Sequence, residues 1–230
     1  MGHALQFTDH NSLKVFLRTM VVADNKTGKD LSPLSELITA GNIKIPSTTG
    51  IFNMGSATDC PSKAMGFCQA VVKGKSVCYA KKAEVAYRPD VLPFRRRQEE
   101  YWKNTSAERF ATDFIMLNMF KARRPFNALR FNESGDFWSQ ECVDKAERIA
   151  SILKRYGVTC YCYTSRKDLD FSHCHNLVVH GSGFKHEGMR GTFLMVLNKK
   201  DRPSGFGICK GSCKECKRCL VGRNTIIIRH

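Results

Sequence analysis

Four cysteines within eleven residues, Cys209-x3-Cys213-x2-Cys216-x2-Cys219, constrain this chain more than any other feature of it. A run this tight lets thiolates turn inward from one loop while backbone amides donate to the sulfurs, so one metal centre is within reach of the whole set. Gly211 and Gly222 give the loop its conformational freedom. Structural zinc usually takes two C-x2-C pairs held apart by a longer segment. Nearly consecutive cysteines are closer to a ferredoxin-type loop wrapped on a cube, although in two-cluster ferredoxins the fourth cysteine of such a run serves the other cluster. The expected cofactor is therefore a [4Fe–4S] cluster held by Cys209, Cys213, Cys216 and Cys219, with zinc as the alternative.

Three further cysteines, Cys60-x7-Cys68-x9-Cys78, lie in an irregular stretch broken by Pro61, Gly66 and Gly74. They are a second candidate metal set, or ligands to a shared centre; the structural alternative is buried apolar thiols. Cys142, Cys160, Cys162 and Cys174 fall on a predicted helix, a strand and the loop after it, where core packing accounts for them. Eleven cysteines is an odd count, and 230 residues with long amphipathic segments fit a disulfide scaffold poorly. Clustered thiols kept reduced point to metal instead.

An apolar fraction of 42% supports one full hydrophobic core and excludes a disordered chain. The longest apolar runs, such as Ile226–Ile228, are far too short for a bilayer, and residues 1–14 mix His, Gln, Asp and Lys. The expectation is a cytoplasmic protein without a membrane partner. A net charge of +16 admits a nucleic-acid partner. It also has a local explanation, because Lys210, Lys214, Lys217 and Arg218 are interleaved with the terminal cysteines and would offset thiolate charge. The remaining cations, at Arg95–Arg97, Arg123–Arg124 and Lys199–Lys200, read as a solvated basic surface.

The expected organisation is a peripheral segment over 1–45, an α/β core over 46–200 and a cysteine-rich metal-binding tail over 201–230, entered through Asp201–Gly205. Asn11–Val22 reads as a short strand or helix before a turn at 24–28, and Leu31–Ala40 as a helix stopped by Gly41. A strand near 51–54 leads to Cys60; helices follow over Tyr79–Ala86 and Phe94–Lys103, with Pro89 and Pro93 bounding a turn between them. Thr105 and Glu108 form a capping box for a helix with apolar Phe110, Ala111, Phe114, Ile115 and Leu117, ended by Pro125. The clearest unit is Phe126–Asn132 as strand, a turn at 133–136, and a helix capped by Ser139 with Val143, Ala146, Ile149, Ala150 and Leu153 on one face. Gly157 stops that helix before a strand at Val158–Tyr163. This is a βαβ crossover with parallel strands. Further strands at Asn176–His180 and Thr192–Leu197 predict an α/β fold, a mostly parallel sheet forming a partial or distorted β/α barrel.

Parallel sheets carry ligands at the carboxyl ends of their strands. The loops expected there place Glu133, Ser134, Asp136, Thr164 and Arg166 on one candidate binding rim. Asp136 and Glu133 suit a cation, an amino group or a ribose hydroxyl; Arg166 suits a phosphate or carboxylate. The structural alternatives are helix capping for 134–136 and an ion pair of Arg166 with Asp168 or Asp170. His173, His175 and His180 read as ordinary polar residues near that rim.

The stretches Cys60-Pro61…Cys68…Cys78-Tyr79-Ala80, Arg130-Phe131-Asn132-Glu133-Ser134-Gly135-Asp136-Phe137 and Tyr161-Cys162-Tyr163-Thr164-Ser165-Arg166 resemble phage proteins of the gene product 88-like family. The resemblance covers about residues 46–230, with His230 at its end. It implies a phage or prophage origin and a divergent β/α barrel reminiscent of radical S-adenosylmethionine proteins. It implies no particular reaction. Cys209-x3-Cys213-x2-Cys216 shares the spacing of those radical enzymes, but sits at the far end of the chain, and Cys219 would close the iron that a cofactor needs. Three readings follow: an iron–sulfur protein of structural character, a radical-type enzyme acting on nucleic acid or a small substrate, and a zinc-stabilised nucleic-acid-binding module.

Overall fold

The computed structural model describes residues 32–68, 71–72, 75–76, 78–120, 124–214 and 216–228. The elements expected over 11–28 and the final His230 lie outside the described residues.

Eight strands form one open sheet. They are β1 (Thr39–Ala40), β2 (Thr49–Phe52), β5 (Ala128–Phe131), β6 (Thr159–Thr164), β7 (Val178–Ser182), β8 (Gly191–Val196), β9 (Gly207–Ile208) and β10 (Thr225–Ile228). A two-strand ribbon, β3 (Val71–Val72) with β4 (Lys75–Ser76), stands apart. The sheet order is β1-β2-β5-β6-β7-β8-β10-β9, and every pairing except β1 with β2 is parallel. From β2 to β8 each sheet strand lies beside the one before it, which is winding in one sense along the sheet. The edges are β1 and β9, so the sheet does not close.

The helices are α1 (Pro61–Ala64), α2 (Tyr79–Ala86), α3 (Arg88–Asn104), α4 (Ala107–Phe120) and α5 (Gln140–Lys154). Strand alternation assigns the faces. Phe52, Leu129, Phe131, Cys160, Cys162 and Val179 join the core with α4 and α5, whose Phe110, Phe114, Val143, Ala146, Ile149 and Leu153 are fully buried. Phe52 meets Phe110 edge-on at 4.9 Å between ring centroids, and Trp102 meets Phe131 at 5.8 Å. Edge-to-face rings of this kind contribute about 1 kcal/mol each beyond their burial. Arg130, Tyr161, Tyr163 and His180 lie at the alternate positions of the same strands and belong to the opposite face.

The tail is part of the sheet rather than an appendage. β10 enters between β8 and β9, with Thr225 opposite Phe193 on one side and Gly207 on the other. Ile226 is fully buried. Residues 209–224, which carry the four-cysteine run, are therefore the crossover between two neighbouring parallel strands. Such crossovers are usually helical; the described residues of this one are turns and coil.

Three expectations shift. Leu31–Ala40 is not a helix: from Ser32 onward it is one 3-10 turn, Pro33–Glu36, and then β1. Gly41 takes φ +61° there, and a side chain would also strike the carbonyls of Ile45 and Pro46. Pro89 and Pro93 do not separate two elements, since α3 runs from Arg88. Pro89 falls in the first turn, where the helix needs no donor, and Pro93 forfeits only a bond to that turn. Thr105 is the C-cap of α3, not the N-cap of α4. Ser106 Oγ accepts the Arg109 N–H at 3.1 Å instead, and Glu108 accepts from Arg148 at 2.9 Å. Among the described residues no helix is long and apolar enough to cross a membrane.

Candidate metal centre

On the sheet face opposite α4 and α5, the residues form one connected polar layer. Tyr163 on β6 stacks with His180 on β7 at 5.1 Å, and the Arg130 guanidinium lies 5.1 Å from the Tyr163 ring centroid. Arg130 Nη2 donates to the Tyr79 hydroxyl at 3.3 Å, and that hydroxyl donates to the Glu133 carbonyl at 2.7 Å. Arg130 Nε is buried with no hydrogen-bond partner. Burial works against the Arg130 charge, but the surrounding Tyr79, Tyr161, Tyr163 and Glu133 oppose it, and the guanidinium's proton affinity lies above its ordinary value. Among the described residues Arg130 makes no ion pair.

The crossover lays its cysteines on this layer. Cys209 follows β9 directly, its N–H donating to the Ile226 carbonyl at 2.8 Å. Gly211 at φ +75° turns the chain, and the Cys213 N–H donates to the Lys44 carbonyl at 2.8 Å, between β1 and β2. His180 Nε2 meets the Cys219 carbonyl oxygen at 2.8 Å. Burial raises the Cys213 thiol; Cys209 and Cys216 push it further, while Arg130 and Lys44 oppose them. Burial also raises the Cys219 thiol, the Tyr163 hydroxyl bonded to its sulfur pulls it back, and Cys213, Cys209 and Cys216 add to the rise. The four expected ligands are thus brought into one another's field. None of the eleven cysteines, all of them described, is bridged to another. Among the described residues no three His, Cys, Asp or Glu side chains stand close enough together to grip an ion as placed.

In the second cysteine set Cys60 and Cys68 lie in each other's field, while Tyr79, the residue after Cys78, is bonded by Arg130. Cys60 precedes α1, and burial pushes its thiol up to about 12 against the N–H groups of Lys63 and Ser62, with Asp136 and Cys68 adding to the rise. Cys78 precedes α2, its carbonyl accepting the Lys82 N–H at 3.1 Å. Cys160, Cys162 and Cys174 are buried in the core, and Cys142 Sγ accepts the Trp102 indole N–H at 3.5 Å.

The rim residues do gather at the carboxyl ends of β5 and β6, but their polar atoms are engaged internally. Asp136 Oδ2 accepts from Ser62 Oγ at 2.6 Å and from the Ser165 N–H at 2.8 Å, with Oδ1 taking the Phe137 N–H. Thr164 also bonds to it, and burial raises the carboxyl despite these donors. Glu133 accepts from Asn42 at 2.5 Å, and the Ser134 N–H donates to Asn53 at 2.7 Å. Arg166 grips Asp168 with two parallel bonds of 2.8 and 2.7 Å and donates to the carbonyls of Phe137 and Trp138. Asn132, at φ +57°, turns its side chain to accept the Met54 N–H. The ion pair with Asp168 considered from sequence is present.

Sequence reasoning missed the role of Lys44, Arg130, Tyr163 and His180 in receiving the crossover. One signal was available: Thr-Cys-Tyr-Cys-Tyr-Thr on β6 alternates core thiols with aromatic residues of the other face. It also missed Glu84, 2% exposed, which holds Arg95 at 2.8 Å and accepts from the Ala57 N–H and Thr58.

No curated protein and no solved structure matches the chain. The family model described as Gene product 88 matches residues 18–194. That span begins earlier than the motif resemblance and ends before Cys209, so the family match covers the sheet from β1 into β8 and the rim but not the cysteine crossover. With most of its length matched by that model, the chain belongs to the Gene product 88 family.

Proposed function

We propose that this is an iron–sulfur protein of phage type, working in a reducing cytoplasm, in which Cys209, Cys213, Cys216 and Cys219 hold a [4Fe–4S] cluster against the sheet face opposite α4 and α5. The observation that carries the reading is the crossover itself. Its four thiols share one field, and two of them also lie in the fields of Arg130, Lys44 and the Tyr163 hydroxyl. The donor set fits such a group: soft sulfurs, unbridged, with cations beside them to offset thiolate charge. A coil crossover with little apolar surface has few other means of holding its path, and ligation would supply folding energy there. When bound, the cluster would supply a fixed tie and a one-electron centre. The backbone amides, Tyr163 and His180 would orient the loop around it.

The rim favours this reading over the radical-enzyme one. Asp136, Ser134 and Arg166 are committed to the fold itself, and an open iron would need Cys219 to stand outside a set whose other three thiols already lie in its field. The one-sided winding of parallel strands, with coil lying over the other face, is in keeping with a partial barrel.

The test is metal and acid-labile sulfide analysis on protein purified without oxygen, read with its visible spectrum. About four irons and four sulfides per chain with broad absorption near 400 nm are expected for this cluster type. A colourless protein holding one zinc would replace the cluster by the zinc alternative.

A further inference from the structure

A cavity of about 490 Å³ opens on the same crossover, lined by Lys210, Ser212, Cys216, Lys217, Arg218, Val221 and Arg223. Four of these side chains are cationic and none is acidic. Among the described residues none of the four cations makes an ion pair. Like charges lining one cavity repel, and among the described residues no carboxylate pairs with them, so the positive charge left over after the neighbouring thiolates is suited to a bound anion.

Arg218 is the best-placed member. Its Nη2 donates to the Asn224 carbonyl at 2.8 Å, which fixes the guanidinium plane. That plane packs against Gly207, where an added Cβ would lie 2.2 Å from Arg218 Cζ. Its Nε is buried and has no partner, and among the described residues no other group bonds the guanidinium. An oriented guanidinium with spare donors is the usual receptor for phosphate oxygens, because its fork matches two of them at once. Lys210, Lys217 and Arg223 add charge around it, and Ser212 adds a hydroxyl. The volume suits a ligand larger than a bare phosphate ion.

We propose that this cavity binds a phosphate-bearing ligand of nucleotide size, with Arg218 as the principal phosphate contact and Lys217, Lys210 and Arg223 completing the anion site. The assignment goes beyond the cluster, although the cavity shares Cys216 with the proposed ligand set.

The experiment is fluorescence anisotropy of a fluorescein-labelled oligothymidylate on full-length protein purified without oxygen, with thymidine monophosphate as competitor. Arg218→Ala and Lys217→Ala are each expected to weaken binding about tenfold, the usual effect of losing a charge-assisted contact. Gly207→Ala should weaken it similarly with no change of net charge, since the new methyl evicts the guanidinium. Lys199→Ala/Lys200→Ala, at exposed cations outside the cavity, should change it less than about twofold. Displacement by thymidine monophosphate would assign the site to a nucleotide monoester; binding of the oligomer alone would assign it to a phosphodiester. Equal losses in the Lys199/Lys200 control and the cavity variants, or wild-type binding by both Arg218→Ala and Lys217→Ala, would overturn the proposal. Arg223→Ala should weaken binding as well, and its unchanged visible spectrum keeps this result separate from any failure of the cluster reading.

Discussion

His180 Nε2 lies 2.8 Å from the carbonyl oxygen of Cys219, which ties the crossover to the centre of the sheet. The ring is fully buried, and burial lowers its proton affinity although the carbonyl opposes the change, so it is the neutral imidazole that donates this bond. His180→Phe keeps a ring against Tyr163 but leaves the carbonyl unpaired. It is expected to lower stability by about 1–3 kcal/mol. Thermal unfolding measures this, and a companion loss of bound metal would show that the lost bond had been holding the crossover.

Glu84 and Arg95 form a buried pair at 2.8 Å whose remaining carboxylate sites are filled by Ala57 and Thr58. Burial raises the Glu84 carboxyl, but Arg95, Thr58 and Ala57 overcome it and hold it below its ordinary value of 4.5. A carboxyl depressed in the folded state stabilises the fold above its unfolded value, and that contribution is lost as pH falls through the folded one. Urea unfolding should therefore show wild-type stability dropping below about pH 4.5. Glu84→Gln should be less stable by about 3 kcal/mol at pH 7, because it strands a buried guanidinium, and flatter in that acid window.

Arg166 is tied to Asp168 and to the carbonyls of Phe137 and Trp138, and only 3% of it is exposed. Arg166→Lys keeps the charge and loses the fork. It should cost about 1–3 kcal/mol in thermal unfolding, as expected for broken charge-assisted bonds. An unchanged melting temperature would return Arg166 to the pool of ligand-binding candidates.

Cys213 and Cys142 give a matched pair. Cys213→Ser should lower iron content and melting temperature together, since metal ligation and folding are linked. Cys142→Ser removes a sulfur that only accepts weak bonds from Trp102 and Ser139, and should leave iron content unchanged. Iron assays on the two variants compare them directly.

The β5–α5–β6 unit was readable because two periodicities meet in it. Leu129 and Phe131 alternate with Arg130, while Val143, Ala146, Ile149, Ala150 and Leu153 recur at helical spacing between Ser139 and Gly157. The tail resisted reading for the opposite reason. Gly207–Ile208 is too short to show any period, and Ile226–Ile228 is an apolar run whose place between β8 and β9 is set by tertiary pairing. Alternation shows that Tyr163 and Arg130 face away from the helices. What they face depends on the path of the crossover, which local sequence does not encode. Strand ends are local, so the sequence could place Asp136 and Ser134 after β5, yet they meet Ser62 and Asn53 from distant loops, and those bonds could not be read from spacing.

Anomalous diffraction at the iron edge, on crystals grown without oxygen, addresses the central claim most directly. The account predicts one compact iron peak enclosed by the sulfurs of Cys209, Cys213, Cys216 and Cys219, on the side of the sheet that bears Tyr163. A map with those four sulfurs apart and no iron between them would contradict it.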